Sequence, residues 1–177
     1  MSSDRLIDCM IDIETIATDS RAIIVSLGAV MFDKDKIGDT FYSVFDLDDQ
    51  LLAGRTKSEA TLDWWSKQSK ESQAVFDQKR TPTALALGKF SKWLGSGCNV
   101  WGNGVDFDNV ILRSCYDDFK IKAPWSYSRN RCFRTLKNIC AFPADGIAAR
   151  AGVYHNALDD AVFQVKAAQR YLKAGLK

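Results

Sequence analysis

The run CMIDIET, residues 9–15, limits most strongly how this chain can fold. Residues 6–13 are almost continuously apolar, the pattern of a short buried strand. Asp12 and Glu14 flank Ile13 at the end of that strand, and residues two apart on a strand point to the same face. Two carboxylates leaving an apolar strand on one face repel each other, and burying them uncompensated is costly. Two resolutions are open. Either the strand has ended and both acids lie in water, or a cation compensates them. A D-x-E pair supplies hard oxygen donors suited to Mg2+ or Mn2+.

The rest of the chain supplies a setting for that strand. Residues 22–32 read as a second strand, 33–39 as a polar turn containing Gly38, and 41–45 as a third strand, so the chain opens as a β-meander. Thr81 as N-cap and Pro82 at the first helical position start a helix with Ala86, Leu87, Phe90, Trp93 and Leu94 on one face; Gly95 and Gly97 end it. Residues 99–101 begin a fourth strand, placed parallel to the first with the intervening helices as crossover. Residues 108–119 have helical spacing, and so do 156–172, where Leu158, Ala161, Val162, Val165, Ala168 and Leu172 share a face. Strands followed by helices alternating with a further strand imply an α/β fold, a central mixed sheet flanked by helices. No repeat or long linker divides the chain, so residues 1–177 are expected to form one domain.

The formal net charge of +2 neither requires nor excludes a polyanionic partner, because bound cations can do the work of basic side chains. Five cysteines, an odd number without C-x-x-C spacing, imply buried thiols in a reducing compartment. The first apolar run is broken by Asp8 and Asp12 and is too short for a membrane span, and residues 1–5 lack the basic flank of a signal peptide. A cytoplasmic location and no membrane partner are expected.

Two further stations carry acids. In WGNGVDFDNVIL, residues 101–112, a strand ends, glycines turn the chain, and Asp106 and Asp108 stand at a helix start. Either can be a ligand, and either can simply cap the helix. The glycines do not complete a G-x-G-x-x-G fingerprint. In HNALDDA, residues 155–161, stands the only histidine, His155. Asn156 and Asp159 can cap the helix that follows, which leaves Asp160 over, on the side of its apolar neighbours. A histidine before a helix is often incidental; a lone one beside a spare carboxylate is a general-base candidate.

Taken in order, IDIET, NGVDFDNVIL and HNALDDA resemble the motifs of the DEDDh 3'-5' exonucleases of the ribonuclease H-like superfamily. The resemblance spans nearly the whole chain. Its second motif pairs Asn103 with Phe107-Asp108, so it falls on Asp108 and not Asp106. It implies a ribonuclease H-like fold and two divalent cations, Mg2+ or Mn2+, held by Asp12, Glu14, Asp108 and Asp160. It makes His155 the acceptor of a water proton and nucleoside 5'-monophosphates the products. The terminal nucleotide is expected over Ile13, Glu14 and Thr15. Segments TLDWWSKQS and CFRTLKNI look like features of the small group containing phage DexA-type exonucleases and the mycobacterial polyadenylate-trimming exoribonuclease. That likeness slightly favours RNA over single-stranded DNA as the nucleic-acid partner and implies a possible homodimer. Most DEDDh enzymes have an acid where Arg134 stands, which touches a peripheral contact only. Trp64 and Trp65 are adjacent on an expected helix and point in different directions; either both pack in the core or against the sheet, or one packs there and the other stacks on a base, and Trp65 is the one assigned to substrate.

Two other readings on the same fold compete. A ribonuclease H-like endonuclease also needs acids on the first strand but has no use for the His155–Asp160 arrangement. An inactive nucleic-acid-binding module would be expected to have lost a ligand or the histidine, and all five are present.

Overall fold

The computed structural model describes residues 6–147 and 149–177; the polar segment 1–5 lies outside the described residues. Strands β1 (Asp8–Thr15), β2 (Ile24–Phe32) and β3 (Ile37–Val44) form an antiparallel meander. Strand β4 (Asn99–Gly102) joins β1 in parallel, and β5 (Asn130–Cys132) joins β4 in parallel. The sheet order is β3-β2-β1-β4-β5, the mixed α/β sheet that the sequence implied. Strand β5 was not legible in the sequence, because NRC has no apolar alternation and its pairing comes from its neighbour.

The helices are α1 (Leu47–Leu52), α2 (Glu59–Ser66), α3 (Lys70–Gln73), α4 (Thr83–Leu94), α5 (Asp108–Asp118), α6 (Phe133–Ile139) and α7 (Ala157–Ala174). The period-two alternation of β1 sorts its residues between two cores. Cys9, Ile11 and Ile13 face a cluster that includes Leu87, Phe90, Ile111 and Leu112 of α4 and α5. Met10 faces the other cluster, with Phe133 of α6 and Ala161, Val165 and Ala168 of α7. Asp12 and Glu14 share the face of Met10, so the two acids look toward α7. They lie inside β1 and not beyond it: Asp12 pairs with Gly28 and Glu14 with Ser26 across the β1–β2 ladder.

Three details differ from the sequence reading. Strand β3 begins at Ile37, so Gly38 belongs to the strand and not to the turn before it. Helix α4 is not capped by Thr81. The Asp49 carboxylate of α1 accepts from the Thr83 backbone N–H (2.7 Å) and the Thr83 hydroxyl (2.6 Å) instead. Thr81 is occupied in donating its N–H to Val44 O. On α7 the buried stripe runs through Ala157, Ala161, Val165, Ala168 and Tyr171, while Leu172 is exposed. Among the described residues no helix is long and apolar enough to cross a membrane. Four of the five cysteines are buried, Cys132 being only partly so.

Two glycines set how closely helices approach the sheet. A Cβ on Gly28 of β2 would lie 2.2 Å from the carbonyl carbon of Ala157, so the first turn of α7 rests directly on the sheet beside Asp12. A Cβ on Gly102 of β4 would lie 2.4 Å from Asn109 Oδ1 in the first turn of α5. Gly88, by contrast, is exposed in mid-α4, and a Cβ added there would meet nothing within 4 Å. Thermal unfolding of two variants is expected to move in opposite directions. Gly28→Ala lowers stability by at least the ~1–3 kcal/mol typical of overpacking, because backbone must yield. Gly88→Ala raises it by about 0.5–1 kcal/mol through helix propensity.

Candidate active site

Strand β4 stops level with the middle of β1, and the last residues of β1 run on past it to meet the starts of α5 and α7. Asp12 and Glu14 come from β1, Asp108 from the first turn of α5, and Asp160 from the first turn of α7. Asp108 Oδ1 accepts the N–H of Ile13 (3.3 Å), which ties α5 to the residue between the two β1 acids. Ligand-type atoms of Glu14, His155 and Asp160 all lie within 4.8 Å of one another. Glu14, Asp108 and Asp160 are buried. The five residues singled out in the sequence are therefore brought to one place.

Such crowding disfavours charge. Burial pushes the Asp12 carboxyl well above its ordinary pKa, with Asp108 and Glu14 adding to the effect. Burial, then Asp108, raises Glu14 to about 8. Burial raises Asp108 to about 7, against hydrogen bonds from the backbone of Ile13, Asp108 and Asn103. Carboxyl groups that hold their protons in this way are matched to a cation that would replace those protons, and the all-oxygen donor set suits a hard divalent ion. His155 moves the other way: burial, then the charge of Arg150, holds its imidazole below its ordinary pKa. It is neutral, and able to accept a proton, near pH 7.

The segment before α7 is braced around the histidine. Asn156 Oδ1 accepts from the N–H groups of Leu158 and Asp159, as an N-cap does. Asp159 does not return a bond to Asn156; its carboxylate accepts from Val153 N–H (2.7 Å) and so pins the preceding loop. His155 has φ of 59°, a left-handed conformation uncommon for a residue with a Cβ. Its ring meets Trp64 edge-on with centroids 4.8 Å apart.

The tryptophans divide their roles in the reverse of the order assigned from the sequence. Trp65 is buried, and its indole N–H donates to Thr15 O (2.8 Å). Its ring packs edge-on against Phe76. Trp64 is exposed and, with Phe107, Ile13, Glu14 and Thr15, lines a cavity of about 430 Å³ beside the acids. Adjacent helical residues point about 100° apart, and nothing in their order says which of the two faces inward.

Two polar residues escaped the sequence reading. Gln164, one turn beyond Asp160 on α7, donates Nε2–H to Asp12 Oδ1 (2.6 Å). An amide inside the buried stripe between Ala161 and Ala168 was the available signal. Arg150 pairs its guanidinium with Asp160 Oδ1, and no sequence spacing pointed to it.

Two solved structures share this architecture. The nuclease domain of 3'hExo, a DEDDh family member bound to rAMP, superposes with a TM-score of 0.64 at 16% identity, covering 100% of this chain and 98% of that one. A full-length 3'-exonuclease gives a TM-score of 0.50 at 17% identity, covering 96% and 84%. At these identities the likeness establishes the fold. No curated protein sequence matches. Residues 7–172 do match the model of the Rv2179c-like 3'-5' exoribonuclease domain, and the chain belongs to that family.

Proposed function

We propose that the protein is a divalent-metal-dependent 3'-5' exoribonuclease that removes nucleoside 5'-monophosphates from single-stranded RNA, with single-stranded DNA as a poorer substrate. The observation that carries the reading is the convergence of four acids and one neutral histidine at the C-terminal half of β1 and the starts of α5 and α7, beside an aromatic cavity. Asp12, Glu14, Asp108 and Asp160 would hold two cations, Mg2+ or Mn2+. Bound there, the cations supply Lewis acidity toward the attacking water and the leaving 3'-oxygen.

The chain's own residues account for the rest. His155 accepts the water proton, since its depressed pKa keeps it neutral. Gln164 fixes the rotamer of Asp12 by its hydrogen bond. Ile13, Glu14 and Thr15 form the floor of the nucleotide cavity, and Trp65 steadies that floor through Thr15 O. Trp64 and Phe107 are the walls, and Trp64 takes the stacking role assigned from the sequence to Trp65. A base edge would meet the hydroxyls of Thr18, Ser58 and Thr61, which donate or accept equally well, so weak base discrimination follows.

Three outcomes are expected. With 5'-labelled RNA and Mn2+ the protein yields a ladder shortening from the 3' end. Asp12→Ala abolishes it, and His155→Ala lowers the rate by about 10²–10⁴-fold; internal fragments would instead indicate an endonuclease. Trp64→Ala weakens substrate binding by about 1–3 kcal/mol with little change in melting temperature, whereas Trp65→Ala lowers the melting temperature. The third concerns pH. Glu14 and Asp108 titrate at about 8 and about 7 when folded, and near 4 when unfolded. The folded state then holds protons that the unfolded state has released, so stability in chelator falls as pH rises from about 4 through about 8. Mn2+ should consequently raise the melting temperature more at about pH 8 than at about pH 5.5. An equal shift at both would contradict binding to these carboxylates.

A further inference from the structure

Among the described residues, Arg150 is the one cation that reaches the carboxylate cluster from the α7 side. Its Nη2 pairs with Asp160 Oδ1, and its charge is felt by Asp12, Glu14 and His155. The guanidinium lies over two aromatic rings: its central carbon is 3.9 Å from the Tyr154 ring centroid and 5.4 Å from that of Phe163. The side chain is only 22% exposed, and its Nε–H is buried with no hydrogen-bond partner. A donor left unmade in a buried guanidinium is costly, and a surface-solvated arginine would not carry that cost.

Charge balance indicates what the guanidinium is for. This step rests on the proposed metal-dependent reading. Two dications cancel the four carboxylates, and a cation on Asp160 competes with Arg150 for the same oxygen. The guanidinium is then surplus positive charge on the Asp160 side of the site, as Arg134 is on the Asp108 side. A phosphodiester is the anion that enters. It arrives with one negative charge and gains a second as water adds to phosphorus.

We propose that Arg150 is a catalytic residue that binds the scissile phosphate: when substrate and cations are bound, its Nη2 turns from Asp160 and, with the unpartnered Nε, donates to the non-bridging phosphoryl oxygens. A planar guanidinium presents two parallel donors to such oxygens, which an ammonium does not. Tyr154 and Phe163 stay packed on the guanidinium while it does so.

The test compares wild type, Arg150→Ala and Arg150→Lys in three measurements: Mn2+ binding by calorimetry without nucleic acid, adenosine 5'-monophosphate binding with Mn2+ present, and kcat and KM on labelled RNA. Arg150→Ala is expected to bind Mn2+ at least as tightly as wild type, because a competing cation is gone. It should bind the monophosphate about tenfold more weakly, and its kcat should fall about 10²-fold, the size seen when one transition-state donor is lost. Arg150→Lys should recover only part of the kcat, since it restores charge without the fork. Weaker Mn2+ binding by Arg150→Ala would show a residue that merely supports Asp160, and unchanged monophosphate binding and kcat would show no contact; either overturns the proposal while leaving the exonuclease reading intact. A wild type that binds no Mn2+ and shortens no RNA removes that reading and this proposal together.

Discussion

The closeness of α7 to the sheet is the constraint on which the site depends. The first turn of α7 rests on Gly28, the residue paired with Asp12 across the β1–β2 ladder. That contact fixes the height at which Asp160 meets Asp12 and Glu14, and it fixes where the chain must turn just before the helix. Any side chain at Gly28 would lift the helix and open the cluster. Gly102 plays the same part for α5, whose first residue, Asp108, then bonds the N–H between the β1 acids. Two bare patches of sheet thus allow two helix starts to deliver carboxylates to one point.

That arrangement works against folding. Helix starts favour acids, and the dipoles of α5 and α7 lower the cost of Asp108 and Asp160. The dipoles do not cancel it: burial still raises Asp108, Glu14 and Asp12 above the ordinary carboxylate range. A sequence tuned for stability alone would place an apolar residue at position 14, on the face shared with Met10. The two clusters on either side of β1 supply the burial that offsets the repulsion. Cations or protons supply the remainder, and stability and cation binding are therefore linked through the same groups.

The meander and the parallel return of β4 were legible as short apolar runs bounded by polar turns, and the three longest helices by the period that burial enforces. What could not be read was set by partners distant in sequence. Thr83 is capped by Asp49, 34 residues away, so the local Thr81-Pro82 signal misled. Strand β5 is three residues without an apolar pattern that pair only because β4 is there. The acids and His155 stood out because their chemistry conflicts with apolar surroundings. Gln164 is uncharged and stands where a helix stripe tolerates one polar residue, and Arg150 belongs to a loop with no period at all. The choice between Trp64 and Trp65 depends on which side of α2 the Thr15 carbonyl lies, a tertiary fact.

The same tertiary facts explain why the histidine carries a left-handed backbone. The chain must pass from Val153, pinned by Asp159, to Asn156, which caps α7, in two residues. With the helix start held down on Gly28, one of the two has to reverse direction, and His155 does so at φ 59°. Such a conformation costs on the order of 1 kcal/mol for a residue with a Cβ. Asparagine or glycine would relieve it. Histidine stands there at that cost, and the reversal aims its ring between Trp64 and the acids of β1 and α7. Observed strain of this kind collects where chemistry is done. Here it has a definite source: the turn that seats α7 on the sheet is the turn that presents the imidazole to the carboxylates.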